Sequence, residues 1–345
     1  SHSKDIFLKA KGVYIFTKNN KKILDVSGGI GVLNLGHNHP EIINERIKFQ
    51  KNSNLEVNKN ILAPHTAMLS KKISDVLPKE LTMSYFLNSG AEANDAAIKT
   101  AYKYHNGKRK MILTSETGFT GRLISTGSVT LNLKHKYPKI FQTQHFKVND
   151  IKKIKKIIEK SIKKNGTINI FAILIEPFNH TTMQPCEYGF LLAIRKICNK
   201  YKIILIYDEI YTGWSKTGSL FYFMRYQGVC PDLLTTSKSL GGGKASIAAI
   251  VMRSKIFRTA YQNKNDYSLL SSTFNGLGEE CVTAIKAIEL LSKKKYCNFA
   301  KNIEKIIKKN LEKLSTKHVD YKMDIKVCGA LSKIYFNNGS VVQKI

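Results

Sequence analysis

Two reactive side chains, a carboxylate and an amine, stand where apolar segments end in the second half of the chain. Asp208 follows the apolar residues 203–207, and Lys238 follows residues 233–237 and precedes the glycines 241–243. Ligands of open α/β sheets bind at the carboxyl edge of the strands, where we expect both side chains. A lysine in a desolvated pocket has a lowered pKa and can form a Schiff base. An aldehyde cofactor with a cationic ring nitrogen needs such a lysine and an anionic partner.

Two loops supply further polar groups that such a cofactor needs. Ser89, Gly90 and Ala91 open an apolar helical segment, and the amides at a helix N-terminus bind phosphate dianions. Thr273 carries a hydroxyl in a loop ahead of another helix. Each pattern alone is moderately specific, but their order and spacing along the chain make the combination specific.

The elements that must position these groups alternate along the chain. From about residue 63 to residue 257, helical patterns alternate with short apolar segments, which is typical of a mostly parallel sheet covered by helices. The helical patterns include 91–104, 152–162 and 190–201, and the apolar segments include 111–114, 168–175 and 203–207. Strands are predicted at 13–17, 23–26 and 331–336 outside this region. The sequence therefore predicts an α/β fold with a large domain and a smaller α+β domain from both termini.

The charge of the chain is strongly positive. Its 56 Lys and Arg residues stand against 25 Asp and Glu residues, which gives a net charge of +31 and suggests a nucleic-acid or acidic partner. Lysines fill the polar face of amphipathic segments such as 151–164, however, so we interpret the charge as solvated surface and expect no nucleic acid. The apolar segments are far shorter than the roughly 18–20 residues of a membrane helix, so we expect no membrane contact.

The cysteines and histidines show no metal-binding pattern. The six cysteines contain no Cys-x-x-Cys pair and no zinc-type grouping with histidine. We therefore expect no metal and reduced thiols, which favours the cytoplasm or a reducing organelle lumen. His37 and His39 lie between Gly36 and Pro40, so we interpret them as parts of a structural turn.

With these motifs in this order, the chain resembles the class III aminotransferases, fold-type I enzymes that depend on pyridoxal 5′-phosphate. The resemblance runs from about Gly12 to Gly329. Its best segments are 28–40, 88–94, 208–218, 231–243 and 272–276. It implies a homodimer with shared active sites that moves an amino group between a small-molecule amine or amino acid and a carbonyl acceptor.

The resemblance also implies a role for each matching position. Lys238 is expected to form the Schiff base and to move the substrate proton, and Asp208 is expected to pair with the pyridinium nitrogen. Phe119 and Ile210 are expected to pack on the two faces of the ring. The remaining implied cofactor contacts are those of Ser89, Gly90 and Ala91 with the phosphate, of Thr120, Glu176 and Tyr211 with the cofactor, and of Thr273 with the phosphate in the neighbouring subunit.

Three positions depart from the usual family pattern. Thr181 replaces a glutamate that helps to switch an arginine between substrates in the ornithine, acetylornithine and 4-aminobutyrate enzymes. Tyr211 replaces a glutamine, and Thr120 replaces a histidine. These replacements argue against the familiar ω-amino substrates. Because the chain ends at Ile345, before the region that often carries an arginine for the substrate carboxylate, we expect an incomplete chain, a module of a longer polypeptide or a different carboxylate recognition.

The resemblance divides the chain into a small-domain segment 1–60, a large cofactor-binding domain 61–280 and a small-domain segment 281–345 that we expect to be truncated. Aminomutases, decarboxylases and racemases share this scaffold, and the motifs alone do not exclude them. A non-catalytic or nucleic-acid-binding protein on the same fold is a third hypothesis, which rests on the charge. If the chain is a module of an assembly line, an acidic carrier protein that delivers a tethered carbonyl substrate is a further partner.

Overall fold

The structure is a computed structural model that describes residues 5–56, 61 and 63–336. The strands of this part of the chain are β1 (Phe7–Lys11), β2 (Tyr14–Thr17), β3 (Lys22–Leu24), β4 (Met83–Leu87), β5 (Met111–Ser115), β6 (Gln142–Phe146), β7 (Ile170–Ile175), β8 (Phe178–Asn179), β9 (Gln184–Pro185), β10 (Ile204–Asp208), β11 (Leu233–Thr236), β12 (Ala248–Met252), β13 (Met323–Cys328) and β14 (Leu331–Phe336). They form one large sheet and three small antiparallel ones.

Helices connect most of these strands. They are α1 (Pro40–Lys51), α2 (Pro64–Asp75), α3 (Gly90–Tyr104), α4 (Ile124–Val129), α5 (Ile151–Asn165), α6 (Tyr188–Tyr201), α7 (Ser254–Ala260), α8 (Gly278–Leu291) and α9 (Lys294–Lys317). Short 3₁₀ turns lie at Lys134–Lys136, Tyr222–Arg225, Lys238–Gly241, Lys264–Leu270 and Val319–Tyr321. Across the described residues, no helix combines the length and the apolar composition that a membrane crossing requires.

The large sheet has the strand order β4–β12–β11–β10–β7–β5–β6. Its strands are parallel except for β12, which pairs antiparallel with both β11 and β4. In the pairing of β10 with β11, Asp208 lies opposite Thr235. Lys238 follows Thr235 by three positions, so the sheet register brings the predicted carboxylate and amine to the same edge.

Helices cover both faces of this sheet, as the continuous apolar strands require. Side chains of α2, α5, α6 and α8 pack on one face, and the small residues of α3 pack on the other together with α4 and α7. Along β10, Leu205 and Tyr207 point into the first layer, and Ile204 and Ile206 into the second. Each large aliphatic side chain buried in this way contributes about 1.5–3 kcal/mol, so the two layers stabilise the sheet.

The predicted α/β fold class is confirmed. The strands expected at 13–17, 23–26 and 331–336 correspond to β2, β3 and β14, but β1, β4, β6, β8, β9, β12 and β13 were not predicted. A five-residue apolar segment such as 248–252 cannot be separated from a buried helix by its periodicity, which explains this omission. The expected domain boundary after residue 60 and the terminal residues 1–4 and 337–345 lie outside the described residues.

Candidate active site

A cavity of about 1150 Å³ lies at the carboxyl edge of β10 and β11. Three parts of the chain form its wall: residues 25–34, the edge of the large sheet with its loops, and residues 330–333 at the start of β14. The wall contains nine of the eleven predicted site residues, namely Gly90, Ala91, Phe119, Thr120, Glu176, Asp208, Ile210, Tyr211 and Lys238. The fold thus brings these nine residues, from five separate segments of the sequence, into one site.

Asp208 is a buried carboxylate held by neutral donors. Its Oδ2 accepts a hydrogen bond from Asn94 Nδ2 at 2.7 Å, and its Oδ1 accepts one from the Ile210 backbone amide at 3.0 Å. No salt bridge to Asp208 is formed within the described residues. Burial, and then the charge of Glu176, raise the pKa of Asp208 to about 7. No cationic side chain is paired directly with this carboxylate, and its ionised form is favoured only by the hydrogen bonds from Asn94 and Ile210 and by the charge of His180.

The neighbouring Glu209 points away from the cavity. Its carboxylate accepts hydrogen bonds from the backbone amides of Tyr222 at 2.7 Å and Phe223 at 2.8 Å, and from the Thr212 hydroxyl at 2.8 Å. Glu209 therefore fixes the 3₁₀ turn at Tyr222–Arg225. Of the two adjacent acids, Asp208 is the one available to a ligand.

Lys238 projects from the end of the segment that follows β11. Its backbone is left-handed, with a φ of 49°, and its Nζ donates to the carbonyl of Ile30 at 3.2 Å. Burial lowers the pKa of Lys238, and the charge of Asp208 opposes this change. A larger fraction of this amine is therefore neutral near pH 7 than for an exposed lysine, which suits a nucleophile.

A second lysine, which the sequence analysis did not single out, lies beside Lys238. Lys216 Nζ donates to the Gly31 carbonyl at 2.8 Å and to Ser239 Oγ at 3.0 Å. Burial and the charge of Lys238 lower its pKa to about 7. Both ammonium groups face the Tyr211 ring, at 5.8 Å for Lys216 and 5.2 Å for Lys238. In the sequence, Lys216 is the one charged residue between positions 210 and 224, and this was the available signal.

The turn at Gly28–Gly31 supplies the acceptors for both lysines. Gly31 has a φ of +74°, and a Cβ atom there would lie 3.1 Å from Tyr211 Cε2. Glycine is needed at this position because it alone combines a left-handed backbone with such a close approach to the tyrosine ring.

The N-terminus of α3 borders the cavity opposite a hydrophobic side chain. Ser89 forms a capping box with Glu92, in which Ser89 Oγ accepts from the Glu92 amide at 3.3 Å. This capping leaves the amides of Gly90 and Ala91 at the cavity wall. A Cβ atom on Gly90 would lie 2.9 Å from Ile210 Cδ1, so the absence of a side chain lets the helix end approach the site.

The loop after β5 brings an aromatic ring to the cavity. The Phe119 amide donates to Glu176 Oε1 at 3.0 Å, and the Arg122 guanidinium lies 5.0 Å from the centre of the Phe119 ring. Thr120 is buried beneath this loop, where its hydroxyl contacts the Thr126 carbonyl and the Thr130 hydroxyl, both at 2.7 Å. The Thr120 side chain therefore holds the loop in place.

Two predicted site residues lie apart from the cavity wall. Ser89 serves as the cap of α3, and Thr273 is exposed in the loop that precedes α8. Asn94 and His180 do line the cavity, although no role was assigned to either from the sequence. The sequence signal for Asn94 was an asparagine among the alanines of α3, where the structure buries it. His180 had no such signal, because the hairpin of β8 and β9 brings it to the site.

Comparison with known proteins relates the whole chain to one family. A family model described as aminotransferase class-III matches residues 2–344. The acetylornithine/succinyldiaminopimelate aminotransferase of Buchnera aphidicola subsp. Acyrthosiphon pisum is 31% identical over 93% of this chain and 76% of that protein. The acetylornithine aminotransferase of Methanocaldococcus jannaschii is 31% identical over 99% of this chain and 83% of that protein.

Solved structures show the same fold. The ornithine aminotransferase of Toxoplasma gondii ME49 superposes with a TM-score of 0.86 at 21% identity, covering 99% of this chain and 79% of that chain. The taurine:2-oxoglutarate aminotransferase of Bifidobacterium kashiwanohense was solved with PLP and glutamate. It superposes with a TM-score of 0.82 at 22% identity, covering 96% of this chain and 77% of that chain. With its sequence match, its mostly parallel sheet and its lysine and aspartate at one edge, this chain belongs to the class III aminotransferase family.

Proposed function

We propose that this chain is a pyridoxal 5′-phosphate-dependent aminotransferase that moves an amino group between an amine or amino acid and a carbonyl acceptor. One observation carries the proposal: Lys238, Asp208 and the N-terminus of α3 line a single cavity. When bound, the cofactor supplies an aldehyde, a phosphate and an electron-accepting ring with a cationic nitrogen. Each of these three groups has a complementary group of the protein in this cavity.

The residues present fit this cofactor. The buried carboxylate of Asp208 forms no salt bridge within the described residues, and a protonated ring nitrogen would pair with it. The Gly90 and Ala91 amides at the start of α3 would bind the phosphate. Ile210 and Phe119 would pack on the ring faces, with Thr120, Glu176 and Tyr211 around them. Ser89 would contribute by holding the helix start.

Lys238 would perform the proton transfer. Its Nζ would hold the cofactor by condensing with the aldehyde and releasing water, and its lowered pKa would let the free amine act as a base. The Ile30 carbonyl, 3.2 Å from Nζ, orients this amine. Asp208 would accept a hydrogen bond from the ring nitrogen and hold the proton there.

The substrates are small molecules, and their identity is a separate question. The relatives with similar sequences are named for acetylornithine, succinyldiaminopimelate and 8-amino-7-oxononanoate, and a structural neighbour is named for taurine. Thr181 lines the cavity in place of the usual glutamate, which supports a donor other than the familiar ω-amino acids. An acidic carrier protein with a tethered carbonyl substrate is a further proposed partner, supported by the charge of +31.

The active protein would be a homodimer with shared sites. Thr273 is exposed in this chain and lies outside the wall of its own cavity. The adjacent Phe274 is 60% exposed, and Ile30 beside the cavity is 72% exposed, which supports a surface that a second chain covers. In such a dimer, Thr273 of each chain would donate a hydrogen bond to the cofactor phosphate of the other.

The lining of the cavity supports the proposed division of the chain into domains. Residues 61–280 would form the cofactor-binding domain, because they supply Lys238, Asp208 and the start of α3. Residues 1–60 and 281–345 would form a smaller domain that closes the cavity with residues 25–34 and 330–333. We also propose a cytoplasmic location, supported by six cysteines that are all free in the described structure.

The test begins with cofactor attachment. Borohydride reduction of the wild-type protein loaded with pyridoxal phosphate should attach the cofactor covalently at Lys238, as identified by peptide mass spectrometry. Lys238→Ala should abolish attachment and amino transfer with an unchanged unfolding midpoint. Lys244→Ala, which changes an exposed lysine six residues along the chain, is the matched control and should behave as wild type. Transfer that survives in Lys238→Ala would refute the role of this lysine.

A half-reaction screen identifies the reaction. Amines and amino acids are added singly to the loaded enzyme, and the absorbance of the bound cofactor is followed together with the products. A carbonyl product with retention of the amino group on the cofactor supports transamination. Carbon dioxide, an isomerised amine or a racemised amino acid would instead support the decarboxylase, mutase or racemase alternatives, which use the same lysine and aspartate. A protein that binds no pyridoxal phosphate would favour the non-catalytic hypothesis.

A further inference from the structure

His180 lies in the cavity wall in a position that is fixed by a hairpin. Its imidazole stacks on the Tyr211 ring, with centroids 4.4 Å apart and planes inclined by 21°. It stands in the turn between β8 and β9, and Asn179 Oδ1 holds this turn by accepting from the Thr182 amide and hydroxyl, both at 2.8 Å. The ring is thus presented to the cavity by backbone geometry and by stacking.

Glu176 orients and charges this ring. Its Oε2 accepts from His180 Nδ1 at 2.6 Å and from the His180 amide at 3.2 Å. Its Oε1 accepts from the Phe119 amide at 3.0 Å and from Asn179 Nδ2 at 3.2 Å. Because Nδ1 faces a carboxylate, it carries a proton, and both oxygens of Glu176 are used within the protein.

This arrangement leaves two hydrogen-bonding groups free in the cavity. Over the described residues, neither His180 Nε2 nor the Tyr211 hydroxyl has a hydrogen-bond partner, and both residues line the wall. The ammonium groups of Lys216 and Lys238 lie within 6 Å of the centre of the same tyrosine ring, at 5.8 and 5.2 Å. This side of the cavity is therefore rich in donors and positive charge.

The charges around His180 favour its protonated form. Burial by itself disfavours the imidazolium, but the hydrogen bond and charge of Glu176, together with the charge of Asp208, raise the pKa of His180. Lys238 opposes this change, and Tyr211 is the remaining titratable group in contact with the ring. A protonated His180 donates from Nε2 as well as from Nδ1.

We propose that His180 Nε2, oriented by Glu176 and assisted by the Tyr211 hydroxyl, donates a hydrogen bond to an oxyanion bound in this cavity. The inference rests on the proposed function, which offers two sources of the oxyanion: the phenolate of the pyridoxal ring and the carboxylate of a substrate. His180 is in that case a residue that contacts the bound oxyanion, at a position to which the family resemblance assigns no role.

Two variants separate the hydrogen bond from the stacking. His180→Phe keeps an aromatic ring on Tyr211 and removes the donor, whereas His180→Gln restores a neutral donor of similar reach. His135→Gln makes the same chemical change at an exposed histidine and is the matched control. Unfolding midpoints confirm that each variant is folded, and Glu176→Gln tests whether the charge on His180 is needed.

The first measurement uses the loaded enzyme without substrate. The absorbance of the bound cofactor is titrated with pH, and the cofactor dissociation constant is measured. If the phenolate is the ligand, loss of the donor destabilises the anion, so the midpoint rises by about one pH unit or more and affinity falls about tenfold or more in His180→Phe. His180→Gln should give an intermediate shift, and His135→Gln should give none.

The second measurement compares substrates. If a substrate carboxylate is the ligand, His180→Phe should raise KM about tenfold or more for amino acids and leave KM for the matching amines without a carboxylate unchanged. The spectral midpoint should then stay at its wild-type value. Either pattern supports the inference. If His180→Phe binds the cofactor and matches wild type in both measurements, the inference alone is refuted, whereas a wild type that binds no cofactor refutes the proposed function as well.

Discussion

The side-chain amide of Asn94 donates a hydrogen bond to Asp208 Oδ2 at 2.7 Å, although 114 residues separate the two along the chain. Asn94 Oδ1 accepts from the Thr235 hydroxyl at 2.8 Å, and Nδ2 also donates to the Thr120 carbonyl at 2.9 Å. These contacts fix the orientation of the amide. Asn94 thus stabilises the ionised form of a carboxylate that burial otherwise disfavours.

We expect Asn94→Asp to weaken binding of pyridoxal phosphate about tenfold or more at neutral pH. The change keeps the shape of the side chain but replaces a donor with a second carboxyl group, which raises the pKa of Asp208 further. Fluorescence titration of the apoprotein measures the dissociation constant. Asn20→Asp makes the same change at an exposed turn and should leave the constant unaltered. Equal affinities in the two variants would contradict this role of Asn94.

The stability of the apoprotein should depend on pH through Asp208. Its pKa is raised from 3.8 to about 7, so between these values the folded state holds a proton that the unfolded state has lost. The stabilisation of the folded state by this proton on Asp208 is complete below about pH 4 and is lost as the pH rises towards 7. The unfolding free energy of wild type relative to Asp208→Asn should therefore fall by a few kcal/mol across this window.

Chemical denaturation of the two apoproteins at several pH values measures this difference. Asp320→Asn, at an exposed position, is the control and should run parallel to wild type. A constant difference between wild type and Asp208→Asn would show that Asp208 is ionised throughout. With cofactor present, Asp208→Asn should still bind but lose about 10²- to 10³-fold in rate, because the cationic ring loses its buried partner.

We expect a side chain at position 90, at the start of α3, to impair cofactor binding. A Cβ atom there would lie 2.9 Å from Ile210 Cδ1, so Gly90→Ala must displace Ile210 or the helix start. We expect cofactor affinity to fall about tenfold or more. Gly189→Ala, also in the first turn of a helix, meets no atom within 4 Å and should leave affinity unchanged and stability equal or higher. If Gly90→Ala binds the cofactor with wild-type affinity, the phosphate does not bind at the start of α3.

In the proposed homodimer, Thr273→Ala should weaken cofactor binding about tenfold or more and leave the oligomeric state unchanged. The expected loss is that of one charge-assisted hydrogen bond, about 1.5–3 kcal/mol. Equilibrium titration and size-exclusion chromatography with light scattering measure the two quantities. Ser271→Ala, in the same loop, is the control. A wild-type protein that binds the cofactor as a monomer would exclude the shared site.

Mixing variants tests whether the hydroxyl crosses the interface. In a mixed dimer of Thr273→Ala and Lys238→Ala chains, the site that keeps Lys238 receives the intact Thr273 from its partner. Activity at limiting cofactor should therefore exceed the sum of the two separate homodimers after subunits have exchanged. If subunit exchange is demonstrated by mass spectrometry and no activity is gained, Thr273 contacts the cofactor of its own chain or no cofactor at all.

The sequence by itself determined the fold class and singled out Asp208 and Lys238 as the candidate reactive pair. Asp208 at the end of β10 and Lys238 two residues after β11 are visible because a buried parallel strand is a local apolar pattern, and a charged residue at or just after its end stands out. The helix start at Gly90 is equally local, since its capping residues lie within four positions. Each of these inferences depends on neighbours along the chain.

Only the tertiary structure decided which polar residues meet at the site. It directed Asp208 into the cavity and Glu209 into a structural turn, although both follow the same strand. It joined Asn94 to Asp208 and His180 to Tyr211 through sheet register and a hairpin. Hydrogen bonds and ring contacts depend on distances in space between residues that are far apart in sequence, and no local pattern encodes those distances.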